Sequence, residues 1–281
     1  MISNRRLGVT LIDGILLGSA PALATPSTII WIPSVDFQPF TSFHLNSDIY
    51  FRYRKEPSGN MTPPLYLIGP TIGILPWEKL QAEVGFDLIF QGVTDRDTYP
   101  IYFHGKIGTP EDSMFKWSPA VVAGVYNVGV KSAITTQDIV YGLIGRTLPY
   151  VGRFSFGYFW SQLDAGPSTS LKLVDENGNR SNHGFLASWD RTMKEITPKL
   201  WLAIDYQGSM SWMGAVNFGL AWSFTDTISM ILAYDLYVNR KVVTPTDGSP
   251  AFIVAGRDTI TVQLDVNFDR IVKPKPAPVA K

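Results

Sequence analysis

The sequence predicts an all-β fold, a single transmembrane antiparallel up-and-down β-barrel of about twelve strands. Three observations lead to this prediction: long runs of alternating apolar and polar residues, a charged share of only 17%, and aromatic residues near the ends of the runs. Residues 80–92 show the alternation most clearly, because one face carries only Leu80, Ala82, Val84, Phe86, Leu88 and Phe90. A transmembrane strand needs about 9–11 residues, with lipid on one face and water on the other.

The first four predicted strands cover residues 43–54, 65–75, 80–92 and 99–107. In the first strand, one face carries Phe43, Leu45, Ile49, Phe51 and Tyr53. The second strand contains Pro70, which has no N–H to donate and therefore requires a bulge or a local break in pairing. In the fourth strand, His104 and Lys106 lie on the face opposite Phe103 and Ile107, because successive side chains alternate.

The next four predicted strands cover residues 119–129, 138–146, 152–163 and 183–191. The fifth strand places Val121, Ala123 and Val125 on one face. Neither face of the sixth strand is polar until Arg146, so its orientation stays open. The seventh strand sets Phe154, Phe156, Tyr158 and Trp160 against a polar face that nevertheless includes Phe159. The eighth strand begins at His183, after a polar loop over residues 164–182.

The last four predicted strands cover residues 199–207, 214–224, 228–239 and 259–268. The tenth and eleventh are separated only by the turn 225–227, which is typical of a β-hairpin. The eleventh strand alternates Met230, Leu232, Tyr234, Leu236 and Val238 with Ser229, Ala233, Asp235 and Tyr237. The twelfth strand repeats the alternation without interruption and ends at Phe268. Strands two, four and six are the weakest, so ten or fourteen strands are alternatives.

Loop lengths and aromatic residues favour the membrane barrel over its alternative, a soluble β-sandwich. An even number of strands places both termini on one side, and the short connections 76–78, 148–150 and 225–227 then share that side, while the long loops 164–182 and 240–258 lie opposite. Aromatic residues at predicted strand ends suit a membrane interface. They are Trp77, Trp117, Tyr150, Trp160, Trp212, Trp222 and Phe224.

Both ends of the chain are predicted to lie outside the barrel of residues 41–268. Arg5, Arg6, a mostly apolar stretch and Ala22-Leu23-Ala24 indicate a signal peptide over residues 1–24, although a short membrane-anchoring or buried helix is the alternative. Residues 25–40 contain three prolines and are predicted as an extended periplasmic lead-in. They are too apolar to stay in water, so we expect them to pack on the lower barrel wall or a partner, or to plug the barrel. Residues 269–281 are predicted as a disordered periplasmic tail.

Composition excludes several functions. The 24 Lys and Arg residues balance the 24 Asp and Glu residues, so no nucleic-acid partner is expected. The chain of 281 residues has no cysteine, which excludes disulfides, thiolate metal sites and attached haem. No nucleotide-binding or metalloprotease motif occurs, so we predict no cofactor and no metal.

The alternating pattern over residues 41–268 resembles the porin-like class of Gram-negative outer-membrane β-barrels. The resemblance implies a bacterial outer-membrane location, with membrane lipid and the barrel-assembly machinery as partners. The strand that ends at Phe268 is similar to the terminal strand read by that machinery, although thirteen residues follow it here. Barrel enzymes carry a His-x-Ser-Asn motif or an Asp-His pair, and neither surrounds His44, His104 or His183. We therefore predict no catalytic residues and no enzyme activity.

Charged and histidine side chains on the polar faces are predicted to line a pore. They are His44, Asp48, Arg52, Glu83, Asp87, His104, Lys106, Arg153, Asp190, Asp205, Asp235 and Asp265. Such charges either pair into a structural ladder or set the selectivity of a channel. Seven acids against three bases suggest a weak cation preference. The predicted function is passive diffusion of ions or small polar solutes; the alternative is a non-conducting structural barrel or sheath for a periplasmic or surface partner.

Overall fold

The structure is a computed structural model that describes residues 27–53, 55, 61, 63–90, 98–132, 135, 137–161, 173–239 and 258–268. The predicted signal peptide and C-terminal tail lie outside the described residues, as do residues 164–172 and 240–257 of the two long predicted loops. Within the described part, no helix is long and apolar enough to cross a membrane.

Twelve antiparallel strands form one closed barrel in which each strand pairs with its neighbours in sequence and β12 pairs with β1. The predicted fold class is therefore confirmed. The strands are β1 (Phe43–Arg52), β2 (Leu65–Gly73), β3 (Gln81–Phe90), β4 (Ile101–Thr109), β5 (Ala120–Gly129), β6 (Ile139–Leu148), β7 (Gly152–Trp160), β8 (His183–Thr192), β9 (Leu200–Gln207), β10 (Ala215–Ser223), β11 (Ile228–Tyr237) and β12 (Thr259–Phe268).

Two irregularities interrupt otherwise continuous pairing. Gly69 and Pro70 of β2 have no partner on β3, but the register is the same on both sides of the gap. This is a local break in pairing at the proline, which cannot donate to the ladder. The register between β4 and β5 shifts once, between Phe103 and Gly105.

The outer face of the barrel is apolar along its length. On β12, Ile260, Leu264 and Phe268 are exposed, whereas Thr261 and Asp265 on the same strand are buried. The other strands repeat this arrangement of exposed apolar and buried polar side chains, whereas a soluble protein buries its apolar side chains and exposes its polar ones. Closing the sheet satisfies every strand edge, so such a surface can face hydrocarbon.

Aromatic side chains at the barrel rims are mostly exposed, as an interfacial belt requires. Exposed examples beside strand ends are Trp77, Trp117, Tyr150, Trp160, Trp222 and Phe224. Trp212 differs, because it is partly buried against the apolar side chains inside the barrel.

The connection between β4 and β5 is held by Asp112. Its Oδ1 accepts hydrogen bonds from the Arg146 guanidinium at 2.9 Å and from the backbone N–H of Trp117 at 2.7 Å. The Arg146 hydrogen bond, together with that of Trp117, lowers the pKa of Asp112 despite some desolvation. The Arg146 guanidinium also lies 4.7 Å from the centre of a Trp117 ring. These contacts fix one of the rim aromatics.

A charge placed on the outer face should cost more at mid-strand than at the rim. Leu232 lies midway along β11 and Ile228 is its first residue, and both side chains are exposed on the outer face. We expect Leu232→Arg to reduce the free energy of unfolding in lipid vesicles by roughly 2–4 kcal/mol and Ile228→Arg by about 0–1 kcal/mol, because the cost depends on membrane depth. Urea titrations of vesicle-embedded protein measure both. Equal costs at the two positions would contradict the membrane-spanning assignment.

Candidate functional site in the barrel lumen

The barrel lumen is occupied by residues 27–42, here called the lumen segment. Its first half folds back on itself: Thr28 and Pro33 form an antiparallel bridge, and the N–H of Ile29 donates to the carbonyl of Ile32 at 2.9 Å. Ile29 and Ile32 are fully buried. The residues predicted as an extended periplasmic lead-in thus lie, from residue 27 on, inside the barrel as a tight turn.

Asp205 of β9 holds the tip of this turn. One carboxylate oxygen, Oδ2, accepts hydrogen bonds from three successive backbone N–H groups, those of Ile30, Trp31 and Ile32, at 2.8, 2.8 and 3.2 Å. The other oxygen accepts one from Asn217 at 2.6 Å. Successive N–H groups that converge on one point form an anion-binding nest, and here the anion is a side chain of the barrel wall. Because Asp205 is fully buried, these bonds replace its solvation.

Lys106 and Glu83 hold the base of the turn. The Lys106 ammonium donates to the backbone carbonyls of Ser27 and Ser34, each at 3.0 Å, and lies 3.4 Å from Glu83. Glu83 in turn accepts a hydrogen bond from the backbone N–H of Gln38 at 2.6 Å. The two charges neutralise one another and also satisfy backbone groups that no strand pairs with.

Arg153 of β7 ties a third point of the lumen segment to the wall. Its guanidinium forms two hydrogen bonds with Asp190 of β8, at 2.9 and 3.1 Å, and a further ion pair with Asp36 of the lumen segment. Trp201 donates a hydrogen bond to the same Asp190 carboxylate at 3.2 Å. Two acids thus surround one buried base.

The inner face of strands β5 to β9 carries an apolar wall that packs on the isoleucines of the lumen segment. Its buried members are Ala120, Val122, Ile139, Tyr141, Leu143, Phe159, Leu186, Trp201 and Ala203. Gly145 and Gly219 make room for the segment, because a Cβ atom at these positions would lie 2.8 Å from Val35 and 2.7 Å from Ile30. The lumen therefore contains a packed core on one side.

A cavity of about 120 Å³ remains between the lumen segment and strands β1 to β6. Six of the predicted lumen residues line it, namely His44, Asp48, Glu83, Asp87, His104 and Lys106. A single water position needs about 10–15 Å³ of such space, so the cavity has room for several waters or a small solute.

Most charges around the cavity are paired. His44 lies 3.3 Å from Asp265, and His104 hydrogen-bonds to Asp87 at 3.0 Å and to Thr71 at 2.9 Å. These contacts join side chains of neighbouring strands on the inner face.

The twelve residues predicted to line a pore have three different roles in the structure. All lie on the inner side of the barrel; ten are buried, and Asp87 and His104 are 15% and 17% exposed. Six border the cavity, and three others, Arg153, Asp190 and Asp205, hold the lumen segment. Of the remaining three, Asp265 pairs with His44, and Asp235 accepts hydrogen bonds from Thr259 and Thr261. Arg52 is buried at the end of β1. Their role as a pore lining stays a prediction.

Sequence reasoning missed the apolar wall and the polar backbone of the lumen segment. Three signals point to them in retrospect: the apolar run around Ile30, the absence of a polar face on the sixth strand, and Phe159 on an otherwise polar face. Each signal places apolar side chains on the inner side of the barrel, where they need an apolar partner to be shielded from water.

The closed barrel, its apolar outer face and its charged interior define the protein as an outer-membrane β-barrel. No known family model matches the sequence, and no curated protein matches it. The assignment to the class rests on this chain's own strands and surfaces.

Several solved outer-membrane barrels have a similar overall structure at very low identity. The KdgM porin matches with a TM-score of 0.47 and 6% identity over 81% of this chain and 99% of its own. Outer membrane phospholipase A from Escherichia coli matches with a TM-score of 0.42 and 9% identity over 83% and 94% of the two chains. Omp33 from Acinetobacter baumannii matches with a TM-score of 0.39 and 8% identity over 81% and 98%. Sequence identities and TM-scores this low do not support a conclusion about function.

Proposed function

We propose that this protein is an outer-membrane channel for passive diffusion of ions or small polar solutes, narrowed by its lumen segment. The observation that carries the proposal is the cavity beside the segment, which charged side chains of β1, β3 and β4 line together with aromatic and apolar side chains. A barrel of twelve strands is intermediate between filled eight-stranded and open sixteen-stranded barrels. The space left beside one folded segment suits ions and small solutes rather than large ones.

The lumen charges favour cations over anions. The inner face carries seven acidic residues, Asp48, Glu83, Asp87, Asp190, Asp205, Asp235 and Asp265, against Arg52, Lys106 and Arg153. Rings of one charge sign in a pore attract counter-ions and set its selectivity. A weak cation preference is therefore part of the proposal.

Conductance of the purified protein in a planar lipid bilayer tests this function. We expect small, stepwise currents, and reversal potentials across a potassium chloride gradient that favour potassium over chloride. A mock purification from cells that lack the protein is the control. Reversal potentials that favour chloride would contradict the cation preference, and a folded but silent protein would contradict the channel.

A non-conducting structural barrel is the second candidate, and the attachment of the lumen segment favours it. Asp205, Lys106, Glu83 and Arg153 hold the segment from four different strands. A barrel filled in this way could serve as a support for a periplasmic or surface partner without passing solute. The same bilayer experiment separates the two candidates.

The proposal includes no catalytic step. Among the described residues, the histidines hydrogen-bond to acidic, amide, threonine or tyrosine side chains, as in the pairs His44–Asn267, His104–Asp87 and His183–Tyr158. A nucleophilic serine activated by histidine requires the two side chains within hydrogen-bond reach.

A further inference from the structure

Asp48 of β1 differs from the other acids around the cavity because no base in the described part of the chain pairs with it. Glu83 faces Lys106, and Asp87 faces His104. Asp48 is only 8% exposed, forms no ion pair with any described residue, and its Oδ1 atom accepts no hydrogen bond from the described part of the chain. The side chain that hydrogen-bonds to this carboxylate is Asn46, an uncharged amide two residues earlier on the same strand.

An uncompensated carboxylate in such a place has a free-energy cost. Burial of a charge without a partner is unfavourable by several kcal/mol, and native structures avoid that cost with an ion pair, with a bound ion or by protonation of the group. Asp48 borders the cavity, so a ligand inside the cavity can reach it. The missing partner is thus expected to be a cation.

Aromatic rings complete the walls of the cavity. Trp31 of the lumen segment and Tyr50 of β1 form one edge-to-face pair with ring centres 5.4 Å apart, and Tyr126 and Tyr141 form another at 5.7 Å. All four side chains border the cavity. Aromatic rings attract cations, and most strongly where water is excluded.

Apolar side chains also border the same space, among them Ile30, Leu67 and Val125. A hydrated inorganic ion gains nothing from these contacts. An organic cation with a short alkyl group gains from burial of that group, by roughly 0.8 kcal/mol per CH₂ in general. The mixture of carboxylate, aromatic ring and alkyl wall therefore selects among cations.

We propose that this cavity binds a small alkylammonium ion. The ammonium group donates hydrogen bonds to the Asp48 carboxylate, its charge lies among the four aromatic rings, and its alkyl group contacts the apolar side chains. The inference rests on the proposed channel, since it names the solute class, but binding in the cavity does not itself require conduction.

Calorimetric titration of the folded, detergent-solubilised protein with ethylammonium chloride tests the proposal at constant ionic strength in sodium chloride. We expect saturable binding by the wild-type protein. The affinity of Asp48→Asn should be lower by a factor of roughly ten or more, because the charge-assisted hydrogen bonds are lost. Asp235→Asn is the matched control: it removes another buried lumen carboxylate that does not border the cavity, and it should bind as the wild type does.

Two further titrations keep the proposal testable if Asp48→Asn does not fold. Ethanol has the size of ethylammonium without its charge, and it should not bind the wild type. Potassium chloride should not displace ethylammonium at equal concentration. Absence of ethylammonium binding, equal binding by both variants, binding of ethanol, or displacement by potassium would overturn the proposal.

The failure of this proposal is distinguishable from failure of the channel. Potassium currents without ethylammonium binding would leave the channel and remove the binding site. Ethylammonium binding by a protein that is silent in bilayers would leave the site in a non-conducting barrel.

Discussion

Replacement of Asp205 by alanine should release the lumen segment and open the barrel. Three backbone N–H groups, those of Ile30, Trp31 and Ile32, would lose their only shared acceptor. Each buried donor left unsatisfied costs about 1–3 kcal/mol, so the docked conformation would lose several kcal/mol relative to a segment displaced into water. The barrel strands keep their own ladder, because β9 pairs with β8 and β10 through its backbone.

Two measurements follow the released segment. Amide hydrogen exchange at residues 29–32 should be slow in the wild type and at least about tenfold faster in Asp205→Ala, because a loss of about 1.4 kcal/mol already gives that factor. Single-channel conductance in planar bilayers should rise in the same variant, since the segment no longer fills the lumen.

Asp235→Ala is the matched control for Asp205→Ala. Asp235 is also fully buried and lies on the inner face of β11, but its hydrogen bonds go to Thr259 and Thr261 of the neighbouring strand rather than to the lumen segment. Exchange at residues 29–32 and conductance should stay at wild-type values. If both variants protect residues 29–32 equally well, Asp205 does not hold the segment.

Replacement of Arg153 by methionine should reduce barrel stability strongly. The guanidinium pairs with Asp190 in a buried position and with the half-buried Asp36, and its loss would leave the buried Asp190 carboxylate without its base. Removal of one partner from a buried ion pair costs roughly 3–5 kcal/mol, because the remaining charge stays desolvated. Urea unfolding in lipid vesicles should show a decrease of this size in the free energy of unfolding.

Arg191→Met provides the comparison on the neighbouring strand. Arg191 pairs with Glu195, four residues on, in an exposed position. Exposed ion pairs contribute about 0–1 kcal/mol, so this variant should remain close to the wild type. If the free energy of unfolding falls equally in the two variants, the buried ion pairs of Arg153 do not stabilise the barrel more than an exposed pair does.

The strands and their faces were predictable because the signal is local. Alternation with a period of two places Asp265 inside and Leu264 outside whatever the rest of the chain does. The count of twelve and the inner position of the twelve predicted side chains follow from this periodicity, and the structure agrees with both. Where alternation failed, as on the sixth strand, the prediction stayed open. The structure turns Ile139, Tyr141 and Leu143 inward there.

The partners of the inner side chains were not predictable from the sequence alone. Asp205 and Ile30 are 175 residues apart, and Tyr126 donates to Gln207 at 3.0 Å from a strand that is not its neighbour. Such contacts form across the lumen, so they depend on how the sheet closes and on how the strands tilt. No period in the sequence records either property.

The sequence by itself determined the barrel, its membrane-facing surface and the charged character of its interior, because hydrophobic burial acts residue by residue along each strand. Only the tertiary structure decided that residues 27–42 fill the lumen and that, among the described residues, Asp48 is the acid beside the cavity that no base pairs with. The physical reason is that the apolar run around Ile30 can be buried on several surfaces. The barrel wall selects one of them by presenting an apolar side next to Asp205, Lys106 and Arg153, which satisfy the polar groups of the segment.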